Sequence, residues 1–128
     1  IPKTYVDNLN VVVIQSAVKL PNGKPGRRAL SISEIVGYDP VAGTFSFVEV
    51  FRWNPAKDVF EFVGNKNSYL LEQKIAFRRG IPPNKKAEIY QMLERRAKLL
   101  EKLHKEKKVV GFHELYQVLA EAQRKGLF

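Results

Sequence analysis

The chain has 128 residues, 45% of them hydrophobic and 27% charged, which suits one domain with a real core. It contains no cysteine, and this excludes a disulfide framework, a Cys-ligated zinc, an iron–sulfur cluster and a thiol nucleophile. Two histidines, His104 and His113, are too few for a histidine-only metal site, and no apolar run reaches the ~20 residues of a membrane-spanning helix. Lys and Arg number 22 against 13 Asp and Glu, for a net charge of +9. Residues 1–63 hold 7 basic and 6 acidic groups, whereas residues 64–128 hold 15 and 7, so the excess lies in the second half. A basic face attracts phosphates, acidic protein surfaces or anionic headgroups, and solvated Lys/Glu helices produce the same count. No signal peptide is visible, and Ile1 rather than Met stands first, which reads as a fragment or processed product of a cytoplasmic protein.

The first half has the period of strands. Leu9 to Lys19 contains the β-branched run Val11-Val12-Val13-Ile14, which suits a buried strand. Pro21-Asn22-Gly23 and Pro25-Gly26 form a turn, and Arg27 to Tyr38 then alternates, with Leu30, Ile32, Val36 and Tyr38 against Ser31 and Ser33. After Asp39-Pro40 and Gly43, Thr44 to Trp53 sets Phe45, Phe47, Phe51 and Trp53 on one face and Val48 and Val50 on the other. Asn54-Pro55 and Lys57-Asp58 turn again into a short fourth strand, Val59 to Val63. Turns this short predict an antiparallel meander.

Beyond Gly64 the period becomes helical. Ser68 is the expected N-cap of a helix through Arg79, with Gly80 at its end and Pro82-Pro83 blocking continuation. Asn84 is the expected cap of a second helix, whose stripe is Ile89, Leu93, Ala97, Leu100 and Leu103 and which ends between Lys105 and Lys108. The pairs Glu94/Lys98 and Glu101/Lys105 support it at i,i+4 spacing. A third helix, Phe112 to Lys125, carries Phe112, Leu115, Leu119 and Ala122, and Gly126 closes it. The expected fold is therefore α+β: a β-sheet subdomain over 1–66 and a helical subdomain over 67–128, packed as one unit.

Motifs for self-contained catalysis are missing. Gly23-Lys24 has Val18 and Pro25 where a phosphate loop needs its first glycine and its hydroxyl. His113-Glu114 begins like a zinc-protease helix, but Gln117 replaces the second histidine. The serines lie in strands and the histidines on lysine-rich helices, so no nucleophilic triad is indicated. Glu34 and Glu49 share a sheet as a possible carboxylate pair, although pairing with Arg52 is the commoner arrangement. No catalytic or metal residue is assigned. Arg27-Arg28 open a strand beside a turn, where guanidinium groups meet phosphate or carboxylate bidentately or simply flank the turn in solvent. Arg78-Arg79 complement a helix C-terminus. The stretch Lys85 to Lys108, with 9 basic and 4 acidic residues, offers a surface to an acidic partner or nucleic acid, although it lacks interleaved aromatics and a helix-turn-helix.

Val12-Val13-Ile14-Gln15-Ser16, Arg27-Arg28 and Ile32-Ser33-Glu34-Ile35-Val36-Gly37-Tyr38-Asp39 resemble a stretch of the archaeal branch of the type II/type IV secretion ATPases. Val50-Phe51-Arg52-Trp53-Asn54-Pro55 and Ser68-Tyr69-Leu70-Leu71-Glu72 continue the resemblance, and Arg78-Arg79-Gly80-Ile81 through Glu94-Arg95-Arg96 looks like the terminal helical subdomain. That family assembles pili and archaella with a RecA-like P-loop domain in a hexameric ring, fuelled by Mg-ATP at the inner face of the cytoplasmic membrane. The resemblance implies the C-terminal part of such a domain. Its phosphate loop, acidic boxes and histidine box would precede this region, so the chain itself would hold no cofactor and hydrolyse nothing. Its partners would be the remainder of the ATPase domain, further copies in a hexamer and a membrane platform protein; nucleic acid is the alternative partner of a basic module. Gln15, Arg27 and Arg28 are the residues placed nearest a nucleotide or a neighbouring subunit.

Overall fold

The computed structural model describes residues 3–127. Four antiparallel strands form one sheet in the order β1-β2-β3-β4: β1 (Val11–Lys19), β2 (Pro25–Asp39), β3 (Thr44–Asn54) and β4 (Val59–Phe62). A 3₁₀ turn, Lys3–Asn8, precedes the sheet and packs on β2. A π-helical turn, Leu70–Ile75, runs directly into one α-helical turn, α1 (Ala76–Arg78). A 3₁₀ turn, Pro83–Lys85, α2 (Ala87–Lys105) and α3 (Phe112–Arg124) complete the chain. The expected α+β meander followed by three helical segments is the observed architecture.

The turns form for local reasons. The Asn22 side chain accepts a bond from the Lys24 N–H at 3.0 Å. Asp39 accepts from Val41 and Ala42 at 2.8 and 3.1 Å, and Asn54 accepts from Ala56 and Lys57 at 3.0 and 3.2 Å. Each short side chain thus satisfies backbone donors that a tight reversal leaves unpaired.

Three residues interrupt the ladders. Leu30 is an extra residue of β2 against β1; Val36 and Val50 are extra residues of β2 and β3 against each other. A bulge resets which face the following side chains occupy. Val36, expected to point with Ile32, is accordingly exposed, while the adjacent Glu34 and Ile35 are both buried. The Val50 carbonyl accepts the Gly64 N–H at 3.0 Å, and Gly64 lies so close that a Cβ there would meet Val50 Cγ1 at 2.6 Å. Core residues of the sheet are Ile35, Val50 and Trp53, beside stacked Phe51 and Phe62 with centroids 4.7 Å apart.

The run Val11–Ile14 forms the expected strand, but at the sheet edge: Val13 is 54% and Ile14 50% exposed, not buried. β-branched residues favour a pleated backbone whether or not a neighbour covers them.

Two compact units divide the chain at residues 87/88. The first contains the sheet, the π-helical turn and α1. The second contains nearly all of α2 and all of α3. Asn84 lies inside the 3₁₀ turn rather than capping α2. The inward stripe of α2 is Ile89, Leu93, Arg96, Leu99 and Leu103, so Ala97 and Leu100 fall to its exposed side. Phe112, expected in the apolar set of α3, is 78% exposed, whereas Ala122 is buried.

Candidate functional site

The three residues singled out for a nucleotide or a neighbouring subunit do not converge. Gln15 pairs with Ala29 and Arg27 with Ala17, which puts Gln15 and Arg27 on one face of the sheet, both exposed. Arg28 pairs with Ser16 on the opposite face. Its guanidinium forks onto Asp58, with Nε donating to Oδ1 and Nη2 to Oδ2, each at 2.7 Å. The Trp53 indole donates to the same Oδ1 at 2.9 Å, and Arg28 Nη1 donates to the Arg27 carbonyl at 2.9 Å. Asp58 stands in the β3–β4 turn with φ of +52°, so this cluster ties three strands together at one end of the sheet. The Arg28 and Trp53 donors hold the Asp58 carboxyl at about 2, well below its ordinary 3.8. The pairing consumes the planar fork that would otherwise receive an anion.

Glu34 and Glu49 are not a pair. Glu34 lies opposite Val48 and Glu49 opposite Ser33, so the carboxylates leave opposite faces. Glu49 binds Arg52 at 2.5 Å, and that contact lowers its carboxyl below the usual range. Glu34 is buried and receives the Ser68 hydroxyl at 2.6 Å and the Leu70 N–H at 3.1 Å. Ser68 in turn accepts the Leu71 N–H at 3.0 Å, which is the expected N-cap bond. A strand carboxylate and a cap hydroxyl thus fix the start of the helical segment to β2. Nothing in the Ser68 sequence context pointed to Glu34, which lies 34 positions away.

The helical segment ends as its sequence indicated. Gly80 has φ of +66°, its N–H donates to Phe77 O at 3.0 Å, and the Ile81 N–H donates to Ala76 O at 2.9 Å. These two bonds are the Schellman pair, and glycine supplies the left-handed conformation without a Cβ clash.

Between this segment and the start of β1 lies an open groove of ≈ 400 Å³. Leu70, Ile75 and Phe77 supply its apolar lining, and Asn10, Lys74 and Arg78 its polar rim. Lys74 Nζ donates to Asn10 Oδ1 at 2.7 Å and sits 5.6 Å from the centroid of the Tyr69 ring. Lys86 bonds Glu72 at 2.7 Å. Leu70, Leu71, Ile75 and Phe77 have the spacing of one apolar helix side, yet Ile75 is 40% and Phe77 80% exposed.

Among the described residues no group of three or more His, Asp or Glu side chains is placed to hold a metal ion. No described helix is long and apolar enough to cross a membrane.

Two proteins of Methanocaldococcus jannaschii are similar to this chain. Uncharacterized protein MJ0900 is 38% identical over 127 residues, which is 99% of this chain and 22% of the relative. Uncharacterized protein MJ1287 is 42% identical over 107 residues, which is 84% of this chain and 37% of the relative. The chain therefore spans about a fifth of one relative's length and just over a third of the other's. No protein-family profile matches it.

Proposed function

We propose that this chain is the C-terminal portion of an archaeal secretion or pilus-assembly ATPase, without the phosphate loop and catalytically silent by itself. The observation that carries this reading is the resemblance of Val12–Ser16, Arg27-Arg28, Ile32–Asp39, Val50–Pro55 and Ser68–Glu72 to that family, segments that fall in β1, in β2, at the end of β3 and at the capped helical start. Relatives much longer than the chain, both from an archaeon, support it. So does the outer edge of β1, a nine-residue strand whose exposed valines suit continuation of a sheet.

In this role the chain is a mechanical part. The parent protein would bind Mg-ATP, assemble as a hexamer and act on a membrane platform at the cytoplasmic face. Arg28, closed onto Asp58, would keep the sheet end rigid. Gln15 and Arg27, exposed on the other face, would be the groups free to meet a nucleotide or an adjacent subunit. The test is phosphate release from Mg-ATP. Residues 1–128 alone should release none, the longer protein containing them should turn over, and Arg27→Ala in that protein should slow it. Hydrolysis by the chain alone, or a longer protein that binds no ATP, overturns the reading.

A further inference from the structure

We propose that the groove beside the π-helical turn docks an acidic–apolar peptide segment, one bulky apolar side chain flanked by Asp or Glu. This goes beyond the ATPase reading and does not depend on it.

Three observations converge there. A π-helical turn is a rare winding, and such turns recur at functional sites; here it supplies both Leu70 and Ile75 to the groove. Phe77, the next aromatic after the turn, is 80% exposed at the same concavity, leaving its ring available to a partner's apolar side chain. The rim is cationic and partly pre-set. Lys74 is held by Asn10 and the Tyr69 ring, an arrangement that fixes its ammonium while leaving donors spare, and Arg78 offers a guanidinium fork.

Charge complementarity chooses the occupant. Lys74 and Arg78 face a cleft whose lining is apolar, so a carboxylate next to a Leu or Phe satisfies both parts at once. A nucleic-acid strand would need a longer cationic track with stacking platforms, and a lipid surface would need a flat apolar face. Neither matches a short concavity with two cations.

The experiment immobilises the intact chain and measures retention of a synthetic peptide library with a fixed Leu or Phe flanked by Glu, against the same library with Lys in place of Glu. The wild-type chain should retain the acidic library preferentially. Arg78→Glu and Phe77→Ser should each weaken retention about tenfold or more. Phe112→Ser, at an equally exposed aromatic of the second unit, should not. Amide shifts on addition of the best acidic peptide should centre on Asn10 and residues 70–78, and unchanged circular dichroism of each variant keeps the reading separate from misfolding. Arg78→Glu should also gain retention of the Lys library. Equal retention of both libraries, or indifference to Arg78→Glu, overturns the proposal. It is overturned too if Arg78 and Phe77 govern binding to phosphatidylglycerol vesicles, to single-stranded RNA or to a second copy of the chain while the peptides fail.

Discussion

Asp58 gathers an arginine fork and an indole N–H on one carboxylate, and the strands around it depend on that charge. A carboxyl held at about 2 in the folded chain, against 3.8 ordinarily, binds protons less readily when folded than when unfolded. Its stabilisation is therefore complete above about 3.8 and is lost as pH falls towards 2. Thermal unfolding followed across that window should show the midpoint falling, and Asp58→Asn should lower it at neutral pH while flattening the decline below pH 4. Ser68 is equally specific: Ser68→Ala removes the cap of Leu71 and one of the donors to buried Glu34, and should cost about 1–3 kcal/mol in urea unfolding. Gly64→Ala should cost a similar ~1–3 kcal/mol, because the new methyl runs into Val50, whose Cα lies 2.9 Å from where it would stand. The cap at Ser68 and the stop at Gly80 were legible in the sequence because both are made within a few residues. Asp58 and Glu34 were not, since their partners come from other strands or helices and nothing in the local pattern names them.

Strand existence and order were legible from alternation and turn residues, and the four strands fall nearly where those signals put them. Which face each residue occupies was not. Single-residue insertions at Leu30, Val36 and Val50 shift the period-two frame, so a side chain beyond a bulge takes the opposite face from the one simple alternation assigns. The β-branched run of β1 had the composition of a buried strand, yet burial depends on a neighbour that composition does not reveal. α2 was misread by a fraction of a turn: its stripe passes through Arg96 and Leu99 because a long arginine stem can lie along apolar surface. Hydrogen exchange should resolve the strands by position. Amides of β2, bonded on both sides, should exchange slowest, and those of β1 and β4 faster; equal protection of β1 and β2 would mean that the edge is covered in solution.

At the scale of the molecule, the division at residues 87/88 separates parts of different self-sufficiency. The first unit has its own core, its ion-pair clusters and the Glu34–Ser68 link. The second is two helices, a size at which a lone hydrophobic core contributes little. Expressed alone, residues 1–87 should melt cooperatively, whereas residues 88–128 should give only partial helix by circular dichroism. The candidate groove was invisible in the sequence because π winding has no simple residue signature, whereas the exposed Gln15 and Arg27 could be picked out by residue type alone.

The chain has a single tryptophan, and it is the one whose indole donates to Asp58. Its emission is thereby a built-in optical gauge of the far end of the sheet: acid that neutralises the carboxylate, or any ligand that pulls Arg28 away, will alter the light from that one ring, and no label need be attached to watch it happen.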